Sequence, residues 1–253
     1  MFFQSFEIIF TLTLRNLKIR YEKSLLGFLW TVINPLATFV IYYFVFARIV
    51  KIRMEDYWVF LLSGLLIWQF ISSSINSSTG CIQSNKSIIK KMVINHEFFV
   101  ISLVLSRLFE FFLESIVAIT LFSIFGRSYS LVNFISIVLV LLFSFLFVLS
   151  ISLFVSALSV YVPDFSYGTQ IGLKLLFFMC PIFYGKHSVP AKYMKVYNLN
   201  PLNPFIENYR DILYKGKVIS LNDFTIMFFI SIVSLLISYL IFKKLKVYFA
   251  EII

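Results

Sequence analysis

Uncharged apolar runs alternate with short charged segments along the whole chain. Three of them, 24–47, 57–85 and 224–242, contain no Asp, Glu, Lys or Arg, and a fourth occupies 128–163. A helix needs roughly 20 mostly apolar residues to cross the ~30 Å hydrocarbon core. Each run is therefore long enough to span, and the last has residues left to begin its exit. Two further apolar runs carry isolated charges, which gives six expected spans: 25–47, 57–80, 98–125, 131–161, 166–184 and 224–242. Pro35 lies inside the first, where it removes one backbone hydrogen bond that neighbouring helices can offset. Pro163 and Asp164 stop the fourth. Residues 126–130 predict a tight turn, because only five residues separate two apolar runs.

Polar positions between the spans have patterns of their own. Over 4–23, at 100° per residue, Glu7, Thr11, Arg15, Lys18 and Glu22 form one narrow stripe. Phe6, Ile8, Ile9, Phe10, Leu12, Leu17 and Ile19 cover the rest, with Asn16 and Arg20 falling on the apolar side. This predicts an amphipathic helix at the membrane interface; the plainer reading is a lead-in to the first span. The segment 85–97 predicts a second short amphipathic helix, with Ile88, Ile89, Met92 and Val93 apolar and Lys86, Lys90 and Lys91 basic. It fits either a docking element for a partner or an interfacial helix with snorkelling lysines. The longest connection, 185–223, holds Pro190, Pro201, Pro204, Phe205, Tyr209, Leu213 and Tyr214, and predicts short helices dipping into the membrane edge.

Composition agrees with a membrane solvent. Of 253 residues, 60% are hydrophobic, and the mean hydropathy is +0.92. No polar stretch can form a soluble catalytic domain, so one transmembrane domain is expected over 1–253: an interface helix at 1–23 and a six-span bundle at 24–253. The first residues lack a basic n-region and a small-residue cleavage site, so no removable leader is expected. Cys81 and Cys180 give no disulfide framework, and His96 and His187 are too far apart to suggest a metal site. The net charge of +10 is read as Lys and Arg meeting anionic head groups at span ends rather than as a nucleic-acid surface. Lys and Arg divide equally between the two sides of a six-span topology, so charge does not set the orientation.

Candidate chemistry is sparse. No G-x-x-x-x-G-K-[ST] pattern is present, so any ATP-driven engine resides on another polypeptide. Arg107, Glu110 and Glu114 share one face of the third span. Charge inside a membrane is costly and turns to the bundle interior; the trio is read as a structural Arg–Glu pair with one further carboxyl, or as an ion-relay site. Lys174 in the fifth span faces a polar conduit or pairs with one of those glutamates. Gly168 and Gly172 form a lone G-x-x-x-G, a weak contact signal.

Several stretches then occur in a recognisable order: Leu17-Lys-Ile-Arg-Tyr21, Leu26-Gly-Phe-Leu-Trp30 with Asn34-Pro35, and Leu62-Ser-Gly-Leu-Leu66 with Trp68. They continue with 85–91, Pro181-Ile-Phe-Tyr184, Asn200-Pro201, Asn203-Pro204, Glu207, Tyr209-Arg-Asp211 and Phe249-Ala-Glu251. This ordered set resembles the membrane permeases of type-two ABC exporters for lipid-linked polysaccharides such as O-antigen, capsule and teichoic acid (Wzm-like proteins). Two departures stand out: Val162-Pro163-Asp164 replaces an Arg-Asp pair, and Asn95-His96-Glu97 replaces an aromatic-proline step.

The resemblance implies an all-α homodimer in the cytoplasmic (inner) membrane, multi-pass with both termini cytoplasmic. Each dimer would join two ATP-binding-cassette subunits that hold ATP and Mg, with no cofactor or metal on this chain, no catalytic residue and no nucleic-acid partner. A coupling helix is expected from Asn85, Lys86, Lys90, Lys91, Asn95, His96 and Glu97. Conduit aromatics are expected at Trp30, Tyr42, Tyr43, Phe177, Phe178, Phe183 and Tyr184. An outer gate of short re-entrant helices is expected around Pro201, Asn203, Pro204, Glu207, Tyr209 and Arg210. The alternatives are an ion-coupled carrier using Arg107, Glu110, Glu114 and Lys174, or a membrane enzyme acting on lipid-linked sugars through Asp164, Glu207 and Asp211.

Overall fold

Helix boundaries fall where charge, glycine or proline interrupts an apolar run. The computed structural model describes residues 2–22, 26–92 and 94–252, and these residues form helices and connections with no strand. Three sequence-based expectations therefore touch positions outside the described residues: the start of the first span at 24 and 25, Lys23, and Val93 of the amphipathic segment. Helix α1 is Phe2–Tyr21. Helix α2 begins at Trp30 and runs to Ile49, its last turns from Phe44 widened to π-helical pitch, with Val50 N donating to Val45 O at 2.9 Å. Then come α3 Tyr57–Thr79, α4 Cys81–Ser84, α5 Lys86–Ile89, α6 Glu97–Ile124 and α7 Leu131–Tyr161. The chain continues with α8 Phe165–Met179, α9 Met194–Leu199, α10 Asn203–Lys215, α11 Leu221–Leu245 and α12 Phe249–Ile252.

Among the described residues four helices are long and apolar enough to cross a membrane: α2, α3, α7 and α11 with its continuation to Tyr248. Helix α3 forms the centre, packed by α2, α6, α7, α8 and α10. Its spanning window is 78% buried while that of α2 is only 6% buried, so α2 lies at the edge of the subunit. The 28 residues of α6 reach about 42 Å at 1.5 Å per residue, but any 18-residue window includes Arg107, Glu110 and Glu114. Helix α8 has 15 residues and stops at Met179, where the sequence predicts helix to 184. Pro181 explains the early stop, since it brings no N–H to the helix.

Residues 180–185 are irregular yet buried, with Cys180 and Ile182 fully inside. Buried backbone groups need partners, and side chains supply them. Arg210 donates to the Pro181 carbonyl, Tyr57 Oη to that of Phe183 at 3.3 Å, and Tyr184 Oη to that of Met179 at 3.0 Å.

The connections gather at two ends. One end holds 50–56, 125–130 and 185–220, tied by Arg127 to Asp56, by Arg127 to Tyr214 O at 2.7 Å and by Tyr214 Oη to Glu55 O at 2.7 Å. The tight turn at 126–130 is present: Gly126 takes φ +92° and Ser130 caps α7 reciprocally with Asn133. The other end holds α1, the 80–96 connection, 162–164 and the end of α11. There Lys246 Nζ binds Glu97 at 3.0 Å, and the Phe249 ring lies 5.7 Å from that of His96.

The helix expected over 85–97 is much shorter. Among the described residues of that segment only Lys86–Ile89 and Glu97, where α6 begins, are helical, and 94–96 is irregular. Like charges at Lys86 and Lys90, four apart, oppose continuation of the helix.

Candidate functional site

Helix α1 has three faces rather than two. Glu7, Lys18 and Glu22 are exposed on the charged stripe, and Phe6, Phe10 and Leu14 are exposed on an apolar face. The third face docks on α6. Leu12 is buried, Asn16 Nδ2 reaches Ser102 Oγ at 3.4 Å, and Arg20 pairs with Glu110. Asn16 and Arg20, which interrupt the apolar side in the sequence pattern, are thus the contacts that seat this helix. Arg15 donates to Asn85 Oδ1 at 2.5 Å, and Asn85 in turn donates to Cys81 O at 2.8 Å.

Glu110 is the meeting point of this inner site. Arg20 approaches one carboxylate oxygen and Arg107 the other, the latter at 3.2 Å, and Arg107 also donates to Ser77 Oγ at 2.7 Å. A cavity of about 250 Å³ opens beside them, reached by Trp30, Asn34, Gln69 and Glu114. The sequence-predicted trio is therefore brought together. Lys174 is not part of it: it is exposed on α8 and, among the described residues, forms no ion pair with those glutamates.

A second cavity of about 420 Å³ adjoins the first through Gln69, which lines both. Its wall carries Thr38, Tyr42, Trp68, Lys174, Phe177 and Phe178. On α2 the lining residues Trp30, Asn34, Thr38 and Tyr42 recur every four positions, so they follow one shallow spiral along the helix. Tyr42, Phe177, Phe178 and Phe183 form one ring cluster, with centroids 5.2 Å apart for Tyr42–Phe183 and 5.1 Å for Phe177–Phe183. Of the other predicted aromatics, Trp30 lines the inner cavity, Tyr43 lies 6.4 Å from Tyr57, and Tyr184 caps α8. The sequence reading missed Asn34, Thr38 and Gln69; the four-residue recurrence on α2 was the available signal.

At the opposite end α10 buries Asn203, Phe205, Tyr209 and Arg210 against α3 and α7. Asn203 Nδ2 donates to Tyr197 O at 2.9 Å, Tyr197 Oη binds Glu207, and Tyr209 Oη lies 2.7 Å from Ser115 Oγ on α6. Arg210 is 3% exposed, with its guanidinium 4.2 Å over the Phe60 ring. Pro204 starts α10 where its missing N–H costs nothing, and Pro201 is exposed in the turn before it.

In the 85–97 segment, Lys86, Lys90 and Lys91 are exposed, as is Asn95, while Glu97 is buried against Lys246. His96 precedes α6 without a side-chain cap. Burial lowers its pKa from 6.5, with Lys246 adding to the shift and Glu97 opposing it.

Comparison with known proteins gives a consistent set of similarities. The family model described as ABC-2 type transporter matches residues 7–214. The O-antigen export system permease protein RfbA of Klebsiella pneumoniae is 32% identical over 248 residues, covering 98% of this chain and 95% of that protein. A protein of the same name from Myxococcus xanthus is 26% identical, covering 96% and 94%. The polysialic acid transport protein KpsM of Escherichia coli is 29% identical over 218 residues, 83% of this chain and 84% of that one.

Proposed function

Because the chain belongs to the ABC-2 type transporter family as the membrane subunit of a polysaccharide exporter, we propose that it moves a lipid-linked, O-antigen-like glycan outward across the cytoplasmic membrane. Six helices span in this reading, α6 and α8 joining the four most apolar ones, with both termini cytoplasmic and α1 lying in the inner interface. ATP and Mg are held by two copies of a separate ATP-binding subunit, and this chain performs no chemistry of its own.

A homodimer accounts for the open face of α2 and α8. Ile41 and Phe44 on α2 and Ile171 and Leu175 on α8 are about 60% exposed, and a Cβ at Gly168 or Gly172 would meet nothing within 4 Å. The cavities between α2, α3 and α8 would then form one wall of the glycan conduit, where the Tyr42–Phe177–Phe183 cluster offers ring faces to sugar rings. Helices α9 and α10 form a re-entrant outer gate.

One observation carries the mechanism: α1 itself carries a polar path, Arg15 bonding Asn85 and, five residues further along the helix, Arg20 meeting Glu110 and through it Arg107 beside the inner cavity. Movement of the partner subunits at Lys86, Lys90 and Lys91 reaches the conduit wall by this path. The test is co-purification from native membranes with an ATPase assay. A stoichiometric P-loop partner, weakened by Lys90→Glu with Lys91→Glu, supports the reading; a chain that purifies alone under gentle conditions overturns the coupling role.

A further inference from the structure

A further polar cavity belongs neither to the aromatic wall nor to the charged trio. It lies at the outer end, between the 53–54 connection, 185–187, α10 and the start of α11, with a volume of about 530 Å³. Three carboxylates reach it, Glu207, Asp211 and Asp223, with the Asn208 amide beside them and the Tyr214 ring on the wall. Each carboxylate has one oxygen already held by the protein: Glu207 by Tyr197 Oη, Asp211 by Lys215 Nζ at 2.8 Å, and Asp223 by Ser220 Oγ at 2.6 Å. Those bonds orient the groups. Asp211 Oδ1 and Arg210 Nε are buried inside the same wall with no hydrogen-bond partner and are therefore closed to a ligand in the cavity.

The chemistry of this lining selects a ligand class. Of the four cations in the lining, Arg210 is bonded to the Pro181 carbonyl and Lys215 to Asp211, which leaves Arg53 and Lys186 beside three carboxylates and no cluster of free cations to mark a phosphate site. Among the described residues no group of three His, Cys, Asp or Glu side chains converges as a metal site. Oriented carboxylates and an amide beside an aromatic ring suit a neutral polyhydroxylated ring, whose hydroxyls donate to carboxylates and whose apolar face lies on the ring. The volume admits one or two sugar units.

We propose that this cavity is a saccharide-binding site, distinct from the aromatic-lined wall, that holds a sugar unit of the glycan as it leaves the outer gate. The inference rests on the exporter reading. Its effect would be to retain the emerging chain between ATP cycles, because a bound unit opposes back-sliding.

Photocrosslinking in exporting cells tests it. Met54, half-buried at the cavity edge, is replaced by p-benzoylphenylalanine, and the glycan is radiolabelled through its sugars. Illumination is expected to attach glycan to the Met54 variant and not to a control variant at the exposed Phe109. Adding Asp223→Asn, or separately Asn208→Ala, should cut capture about tenfold, the loss expected for one good hydrogen bond to a charged group or its equivalent. Cells that display surface glycan normally but give no capture at Met54 overturn the cavity while leaving the exporter reading intact. Capture that neither substitution reduces also overturns it, and normal glycan display in cells lacking this chain overturns the exporter reading itself.

Discussion

Glu110 serves two guanidiniums with one carboxylate, which makes it the residue whose loss is felt most. Glu110→Gln removes the charge that Arg20 and Arg107 share. We expect a loss of roughly 2 kcal/mol, below the usual cost of breaking a buried pair because both arginines keep partial solvent access. Thermal unfolding in detergent should show a lowered Tm, and α1 should become more protease-sensitive. Lost export with unchanged Tm would instead make Glu110 an ion-coupling group. His96 gives a pH-dependent counterpart. Its folded pKa lies below 6.5, so its contribution to stability is complete above 6.5 and is lost as pH falls through the lowered value. Amide protection factors around 94–100, referred to the intrinsic exchange rate at each pH, should therefore fall between neutral and acidic pH, and His96→Phe should remove that component of the fall. At this scale the sequence exposed the charged trio, since three ionisable groups in an apolar run are conspicuous. It hid the partner Arg20, ninety positions away, whose place on the apolar side of α1 looked like an imperfection.

Among the helices and turns, the span limits at Tyr57, Leu131 and Tyr161 were legible because charge and proline bracket them closely. Helix α8 was overextended because Cys180, Ile182 and Phe183 are apolar, and apolar character alone does not separate helix from buried irregular chain. Pro181 carried the missing information. Gly126 offers a contrast at the same scale. With φ +92°, Gly126→Ala should cost about 1–2 kcal/mol through a left-handed backbone that a Cβ disfavours. Gly80→Ala, at φ −95° and with open space around it, should be neutral or slightly stabilising. Paired thermal melts of the two variants check this difference.

For the whole molecule, the question is how the two ends communicate. The ordered motifs made the membrane permease legible, but the cavities were not: their walls join positions as distant as Arg53 and Asp223, or Arg20 and Glu114, and no local pattern encodes such proximity. The polar path through α1 gives a prediction at this scale. Arg15→Ala breaks the contact with Asn85 without touching Lys86, Lys90 or Lys91, the proposed contacts with the ATP-binding subunit. Partner binding and basal ATPase rate should be retained, while export falls roughly fivefold or more, in the range of typical coupling energies. Equal losses of ATPase and export would place the defect in assembly instead.

The bond from Arg210 to the Pro181 carbonyl has a mechanical meaning. Parting the two would leave a buried carbonyl without a donor and a buried cation without its hydrogen bond, at a cost of about 1–3 kcal/mol against the motion. The outer helix and the frayed tip of α8 are therefore geared to one another. If α10 serves as the proposed outer gate, a displacement that widens it would draw the Phe177–Phe183 cluster along, so that the gate and the proposed aromatic chamber would change size in one stroke.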